Sequence, residues 1–302
     1  MSRVLTLRPG AKINLTLRVG PRRDDGYHDV RTVLQSIGLS DTLAVSPRRG
    51  PFALSCRAPG VPADRENLVW KAAERLWRSA GREGDPRDAH VKLEKSVPSA
   101  AGLGGGSADA AAALVALNVV WDLGRGPRAL FELAASLGAD VPFFLMGGTA
   151  LGLGRGDDLY PVDDITRFGV VVIKPSIGVA TADAYRWMDE DRRARPSTPA
   201  TTSPRARDVE VGWPSGPLAL GNDLEAPVGA RHPVILEVVE ACYREGAIAA
   251  AMTGSGAAVF GLYRESVAPR AAVRLRRPDW LVLVTRTLAR REAARGLGLS
   301  GG

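Results

Sequence analysis

The segment Pro98-Ser99-Ala100-Ala101-Gly102-Leu103-Gly104-Gly105-Gly106-Ser107-Ala108-Asp109-Ala110 holds the chain's densest set of residues suited to chemistry. Its glycines permit positive φ and let the backbone come close to a ligand. It follows an alternating apolar stretch and precedes an Ala/Leu/Val run, so the pattern predicts a loop that ends a strand and opens a helix. Such a helix start offers unpaired N–H groups and the positive end of the dipole, an anion site suited to phosphate. Ser107 is placed as the N-cap of that helix, or as a hydroxyl facing a phosphate or its Mg2+. An ordinary capped connector is the plain alternative, weakened by the entropic cost of three consecutive glycines. No Gly-Lys-Ser/Thr closes the loop, and its spacing is not that of a dinucleotide fingerprint. The literal GxGxxG at Gly296-Leu297-Gly298-Leu299-Ser300-Gly301 has no helix to open and is a decoy.

A lysine and a carboxylate flanking a hydroxyl suit phosphoryl transfer: the carboxylate takes the proton and the ammonium favours the developing alkoxide. Lys12 follows Pro9-Gly10 at a strand start, where a solvated terminus reads equally well, and Asn14 shares its strand face. Asp140 precedes Val141-Pro142, and a helix N-cap with proline in the first turn would look the same. Tyr27 and His28 follow a polar turn, His28 being one of only three histidines. Gly254-Ser255-Gly256 joins two apolar stretches, as a tight hairpin would, and Asn67 stands where a helix N-cap belongs.

Positioning these groups falls to elements that the periodicity predicts. Strands are expected over 4–8, 13–19, 29–39, 42–46 and 52–57, then a helix over 66–80 stopped by Gly81. A strand at 89–95 leads into the glycine loop and a helix over 107–121, and a second helix, 127–137, ends at Gly138. Strands follow at 148–153 and 168–173, and the rest reads as helices 181–191, 233–244 and 266–276 with strands 248–252, 257–263 and 280–285. Five prolines among Ser, Thr and Arg between 192 and 217 predict a mobile surface loop. Locally paired strands with inserted helices argue for an α+β chain of two domains, 1–157 and 158–302.

Composition sets the outer limits. The chain has 302 residues, 45% of them apolar and 24% charged, which is ordinary for a globular protein. Cys56 and Cys242 lie in no CxxC or Cys/His cluster, which excludes a disulfide-stapled module and a structural zinc site. With no signal-like or membrane-length apolar run, a cytoplasmic protein with no membrane partner is expected. Of 40 cationic residues only Lys12, Lys71, Lys92, Lys95 and Lys174 are lysine. The arginines from Arg264 to Arg295 could form a nucleic-acid face. No aromatics interleave with them in the manner of a single-strand stacking platform, so solvated helix faces and no nucleic-acid partner are the expectation. Monomer and homodimer both stay open.

The stretch Pro98-x-x-x-Gly102-Leu103-Gly104-Gly105-Gly106-Ser107 resembles the phosphate loop of the galactokinase–homoserine kinase–mevalonate kinase–phosphomevalonate kinase (GHMP) superfamily. Four further segments agree with it in order: Pro9-Gly10-Ala11-Lys12-Ile13-Asn14-Leu15, Gly26-Tyr27-His28, Gly138-Ala139-Asp140-Val141-Pro142-Phe143-Phe144, and Met252-Thr253-Gly254-Ser255-Gly256-Ala257 through Gly261. The resemblance implies a two-domain α+β fold, its N-terminal half like domain 2 of ribosomal protein S5 and its C-terminal half ferredoxin-like. It implies ATP as co-substrate with Mg2+. Lys12 and Asp140 would be catalytic. Pro98, Ala101, Gly102, Leu103, Gly104, Gly105, Gly106, Ser107 and Ala108 would bind ATP, with Asn67 and Lys95 on the adenine side. Asn14, Tyr27, His28, Tyr185, Gly254, Ser255 and Gly256 would meet the substrate, Tyr27 stacking on a cytosine, His28 bonding its edge and Tyr185 covering it. The extra glycines and the Asp109-Ala110-Ala111 continuation resemble the branch acting on a cytidine diphosphate-linked methylerythritol in the non-mevalonate isoprenoid route. The reaction implied is direct in-line transfer of the ATP γ-phosphoryl to its C2 hydroxyl. A homoserine- or mevalonate-type acceptor is the alternative, and Gly26-Tyr27-His28 speaks against it. Ala108 stands where many relatives carry a second serine, so Ser107 is the candidate Mg2+ ligand in an otherwise unknown set.

Overall fold

A computed structural model describes residues 4–194 and 220–299. The chain begins with β1 (Leu5–Leu7), the long hairpin β2 (Gly10–Arg22) and β3 (His28–Ser40), then β4 (Thr42–Pro51) and β5 (Ala53–Cys56). Ala11, Ile13, Leu15, Leu17 and Val19 bury one face of β2, at the two-residue period of a strand. The opposite face carries Lys12 and Asn14, themselves buried under the loop described below.

Helix α1 (Leu68–Ser79) buries Val69, Ala72, Ala73, Leu76 and Trp77, one stripe at helical spacing. Strand β6 (Arg87–Glu94) leads to α2 (Gly105–Val120), α3 (Pro127–Leu137), α4 (Val141–Met146), β7 (Thr149–Leu153) and β8 (Asp158–Pro161). Every residue of α2 from Ala108 to Leu117 is buried. A helix apolar on all sides must run through a core. The second half comprises β9 (Phe168–Pro175), α5 (Thr181–Ala194), β10 (Gly221–Asn222), α6 (Glu225–Arg231), α7 (Val234–Arg244), β11 (Ala249–Met252), β12 (Val259–Arg264), α8 (Ala268–Arg274), β13 (Trp280–Arg286) and α9 (Arg290–Gly296).

Three mixed or antiparallel sheets result, ordered β1-β4-β6-β5, β10-β2-β3-β7-β8 and β11-β12-β9-β13. In β9 the unbroken apolar run Val170-Val171-Val172-Ile173 divides by alternation. Val171 and Ile173 join the core under α5–α8, while Val170 and Val172 join Ile13, Leu15 and Phe260 between the second and third sheets. Both faces of this sheet are therefore covered.

The α+β architecture agrees with the sequence, and the differences are short elements. Asp158–Pro161 pairs with β7, so the sheet of the first half runs past residue 157. Gly221–Asn222 returns from the second half to lie parallel to β2, and α9 comes back against α4. Helix α2 starts at Gly105 with Gly104 at its N-cap, so Ser107 is its third residue and not the cap. Arg192 to Ala194 finish α5 instead of opening a loop. The remainder of the proline-rich stretch, 195–217, lies outside the described residues, as do Ser300 and Gly301 of the decoy motif.

Candidate active site

The glycine loop reaches its shape through Ala100, Gly102 and Gly104, all at positive φ (49°, 73° and 71°). At Gly102 a Cβ would stand 2.1 Å from the Thr253 carbonyl oxygen, and at Gly104 one would stand 2.6 Å from Phe144 Cζ. Glycine is therefore required twice over, for conformation and for space. The loop is strapped to the turn between β11 and β12: the Ala258 N–H donates to Ala101 O, and Thr253 Oγ1 donates to Gly102 O at 3.3 Å. Gly254-Ser255-Gly256 is thus a turn laid against the loop, and Ser255 Oγ also lies 2.9 Å from Thr181 Oγ1 at the start of α5.

Lys12 is brought under the loop by its own backbone, whose N–H donates to Leu103 O at 3.0 Å. Its Nζ donates to Asn14 Oδ1 at 2.6 Å and lies 3.5 Å from Asp140 Oδ2. The lysine side chain is 5% exposed and the aspartate 42%, so the pair has one face sealed and one open. Asp140 occupies the residue before α4 but its side chain makes no capping bond. The N-cap reading is thereby not realised, and the carboxylate turns to Lys12. Asn14 is fixed in turn by Thr32, which accepts from Nδ2 at 2.8 Å, and by Thr253 Oγ1, which accepts from the Asn14 N–H at 3.0 Å.

At the other side His28, Tyr185 and Asp189 converge. The rings of His28 and Tyr185 stack at 5.2 Å and 26°, and His28 Nε2 lies 2.9 Å from Asp189 Oδ1. Burial, helped by the charge of Asp140, pushes the Tyr185 hydroxyl up to about 12. Tyr27 is 60% exposed, with the Arg155 guanidinium 5.7 Å from its ring centre.

Two residues expected on the adenine side have their polar groups committed elsewhere. Asn67 caps α1, accepting from Val69 N–H at 2.9 Å and donating to Pro62 O at 2.6 Å. Lys95 Nζ donates to Asp41 Oδ2 at 2.5 Å and to Asp109 Oδ2 at 2.6 Å, all three side chains being buried. Asp41 Oδ1 also accepts from the N–H groups of Ser96 and Val97. This triad clasps both ends of the glycine loop. Burial would lower Lys95, but Asp109 and Asp41 outweigh it and hold the ammonium above the usual lysine value. Burial, against the pull of Lys95, pushes Asp109 up to about 7, and its Oδ1 has no hydrogen-bond partner.

Sequence reasoning did not reach Asp41, Thr32, Asp189 or Asn222. Asn222 donates to the carbonyls of Met252 and Gly254 and so holds the turn against the loop. Of these only Asp189 had a readable signal, since it stands four residues after Tyr185 on one helix. Ser107 makes no hydrogen bond through its hydroxyl among the described residues and is half-buried in the first turn of α2. No cluster of three or more His, Cys, Asp or Glu among the described residues could hold a metal, and no described helix is long and apolar enough to cross a membrane.

Residues 67–148 match the family described as GHMP kinases N terminal domain, and residues 212–278 match GHMP kinases C terminal. A protein of Pelotomaculum thermopropionicum called 4-diphosphocytidyl-2-C-methyl-D-erythritol kinase is 45% identical over 94% of this chain and 98% of its own length. One of the same description from Moorella thermoacetica is 42% identical over 94% and 99%. Among solved structures, a 4-(cytidine 5'-diphospho)-2C-methyl-D-erythritol kinase superposes with a TM-score of 0.75 at 33% identity, covering 94% of this chain and 99% of that one. A mevalonate kinase superposes with a TM-score of 0.65 at 13% identity, which is a likeness of fold alone.

Proposed function

Since this chain belongs to the GHMP kinases, and among them to the 4-diphosphocytidyl-2-C-methyl-D-erythritol kinases, we propose that it moves the γ-phosphoryl of ATP onto the C2 hydroxyl of 4-diphosphocytidyl-2-C-methyl-D-erythritol. The observation that carries the reading is the 3.5 Å pair of Lys12 and Asp140 beside a glycine loop ending in a helix start.

In this reading the loop and the exposed N–H groups of α2 receive the polyphosphate. The acceptor hydroxyl lies at the open face of the pair. Asp140 takes its proton as the oxygen attacks phosphorus in line; the bond to the new oxygen forms, the β–γ bridge breaks, and ADP leaves with the electron pair. Lys12, desolvated and held by Asn14, offsets the charge that develops on the attacking oxygen. Positioning and charge stabilisation supply most of the rate in such transfers.

Mg2+ would meet this chain at the uncommitted hydroxyl of Ser107 in the first turn of α2, with phosphates and water supplying the rest of its oxygen ligands. When bound it neutralises phosphate charge. Tyr27, His28 and Tyr185 form the cytidine end, with the turn 254–256 closing the space between it and the loop. The catalytic groups come from 1–157 and the cover over the base from 158–302. With both thiols free, we place the reaction in the reducing cytoplasm.

Asp140→Asn should cut turnover by about two to four orders of magnitude, the usual range for a lost general base, and leave ATP affinity nearly intact. Unchanged turnover removes Asp140 from this role. An acceptor panel with radiolabelled ATP separates the reading from a homoserine- or mevalonate-type kinase, because only the cytidine diphosphate alcohol should become labelled.

A further inference from the structure

His28 stands at the first position of β3 with a side chain only 6% exposed, and two residues of α5 close on it. Tyr185 and Asp189, four apart, share one face of that helix. Tyr185 stacks on the imidazole, and Asp189 Oδ1 lies 2.9 Å from Nε2. The Asp189 side chain is 20% exposed, so the contact is largely shielded from solvent. A carboxylate can only accept, so Nε2 carries the hydrogen, and in the neutral ring Nδ1 is then a bare acceptor. Among the described residues nothing donates to Nδ1.

We propose that Asp189 is a specificity-determining positioning residue: by fixing the hydrogen on Nε2 it presents His28 Nδ1 as an acceptor, which selects a pyrimidine carrying an exocyclic amine over one carrying a carbonyl at that ring position. This rests on the reading above, in which His28 meets the base. Cytosine offers an N–H to that lone pair. Uracil places an oxygen there, so two acceptors face each other and both lose their water. Without Asp189 the imidazole is free to move its hydrogen to Nδ1 and become a donor, and the discrimination has no origin.

Calorimetric titration of the full chain with CDP and with UDP reads this directly. The unaltered protein should bind CDP at least about tenfold tighter than UDP, as expected when a buried polar group is left unmatched. Asp189→Ala should bring the two affinities within about threefold, one rotatable hydrogen having replaced a fixed one. It should raise KM for the cytidine substrate while kcat and ATP affinity hold. Asp189→Glu should restore part of the preference. Nitrogen chemical shifts of His28 give a signature that packing damage would not produce: hydrogen on Nε2 in the unaltered protein, a mixture of tautomers in Asp189→Ala. A folded Asp189→Ala that keeps the CDP preference overturns the proposal, as does an unaltered protein with its imidazole hydrogen on Nδ1. Should Asp189→Ala fail to fold, the Asp189→Glu ratio and the unaltered protein's tautomer still decide. An unaltered protein that binds neither nucleotide overturns the functional reading instead.

Discussion

A buried ammonium is costly unless its charge is answered, and Lys12 and Lys95 answer it in opposite ways. Lys12 has one neutral amide at 2.6 Å and one carboxylate at 3.5 Å, leaving room for a third group to enter between them. Lys95 is saturated by two carboxylates. Lys12→Met should therefore abolish turnover with modest change in the thermal midpoint. Lys95→Met should unfold the protein or lower its stability by about 3–5 kcal/mol, since the buried Asp41 carboxylate loses its counter-charge and Asp109 is driven to its neutral form. Asp109 adds a pH signature. Its folded value near 7 lies above the ordinary aspartate range, chiefly through burial. The native state thus holds an extra proton, and that stabilisation is complete below about pH 4 and lost as pH rises through about 7. Asp109→Asn does not titrate there, so its thermal midpoint relative to the unaltered protein should climb between pH 4.5 and 8. A difference that stays flat across that range removes the shift.

Among the elements, the glycine loop and the start of α2 have the tightest tolerances. At Gly102 an added Cβ meets the Thr253 carbonyl at 2.1 Å with φ at 73°, whereas at Gly106 the nearest atom is Leu68 Cδ1 at 3.9 Å. Gly102→Ala should separate the loop from the β11–β12 turn, raising KM for ATP more than tenfold in steady-state assays. Gly106→Ala should raise stability by about 0.5–1 kcal/mol, because alanine loses less entropy than glycine in a helix. Asn67 belongs to this scale as well. Its carbonyl caps α1, and Asn67→Ala should cost about 1 kcal/mol, read from the urea midpoint. A large loss of ATP affinity in that variant, beyond the stability change, would show a nucleotide contact besides the cap.

At the scale of the molecule, the two halves complete each other. Ile13, Leu15 and Ile37 of the first half share a core with Val170, Val172 and Phe260 of the second. The Gly296 carbonyl accepts from the Arg8 N–H. Segment 1–161 expressed alone should aggregate and regain solubility when 162–302 is co-expressed, because its second sheet would present an uncovered apolar face. Independent folding of that segment would count against the shared core. Four of the nine arginines from Arg264 to Arg295 are engaged within the fold. Arg274, Arg277 and Arg286 pair with Glu245, Glu237 and Glu292, and Arg290 donates to the carbonyls of Thr149 and Val162.

The sequence by itself determined the elements long enough to show a period and the groups that could do the chemistry. The Val69–Trp77 stripe, the apolar run of β9 and the glycine loop all follow from local rules of spacing, backbone freedom and helix-start polarity. Five short elements left no such trace: α4, α6, α9, β8 and β10 span two to seven residues each, less than two helical turns or a strand of usual length. Only the tertiary structure decided which polar groups were free. Asp140 reads equally well as cap or base until its side chain is seen turned to Lys12. Lys95 and Asn67 look available until Asp41, Asp109, Val69 and Pro62 are seen to occupy them. The reason is physical: a side chain's type is local, but the partner that claims its hydrogen bonds is 128 residues away for Lys12 and 161 for His28, and pairing at that distance is settled by how whole sheets and helices pack.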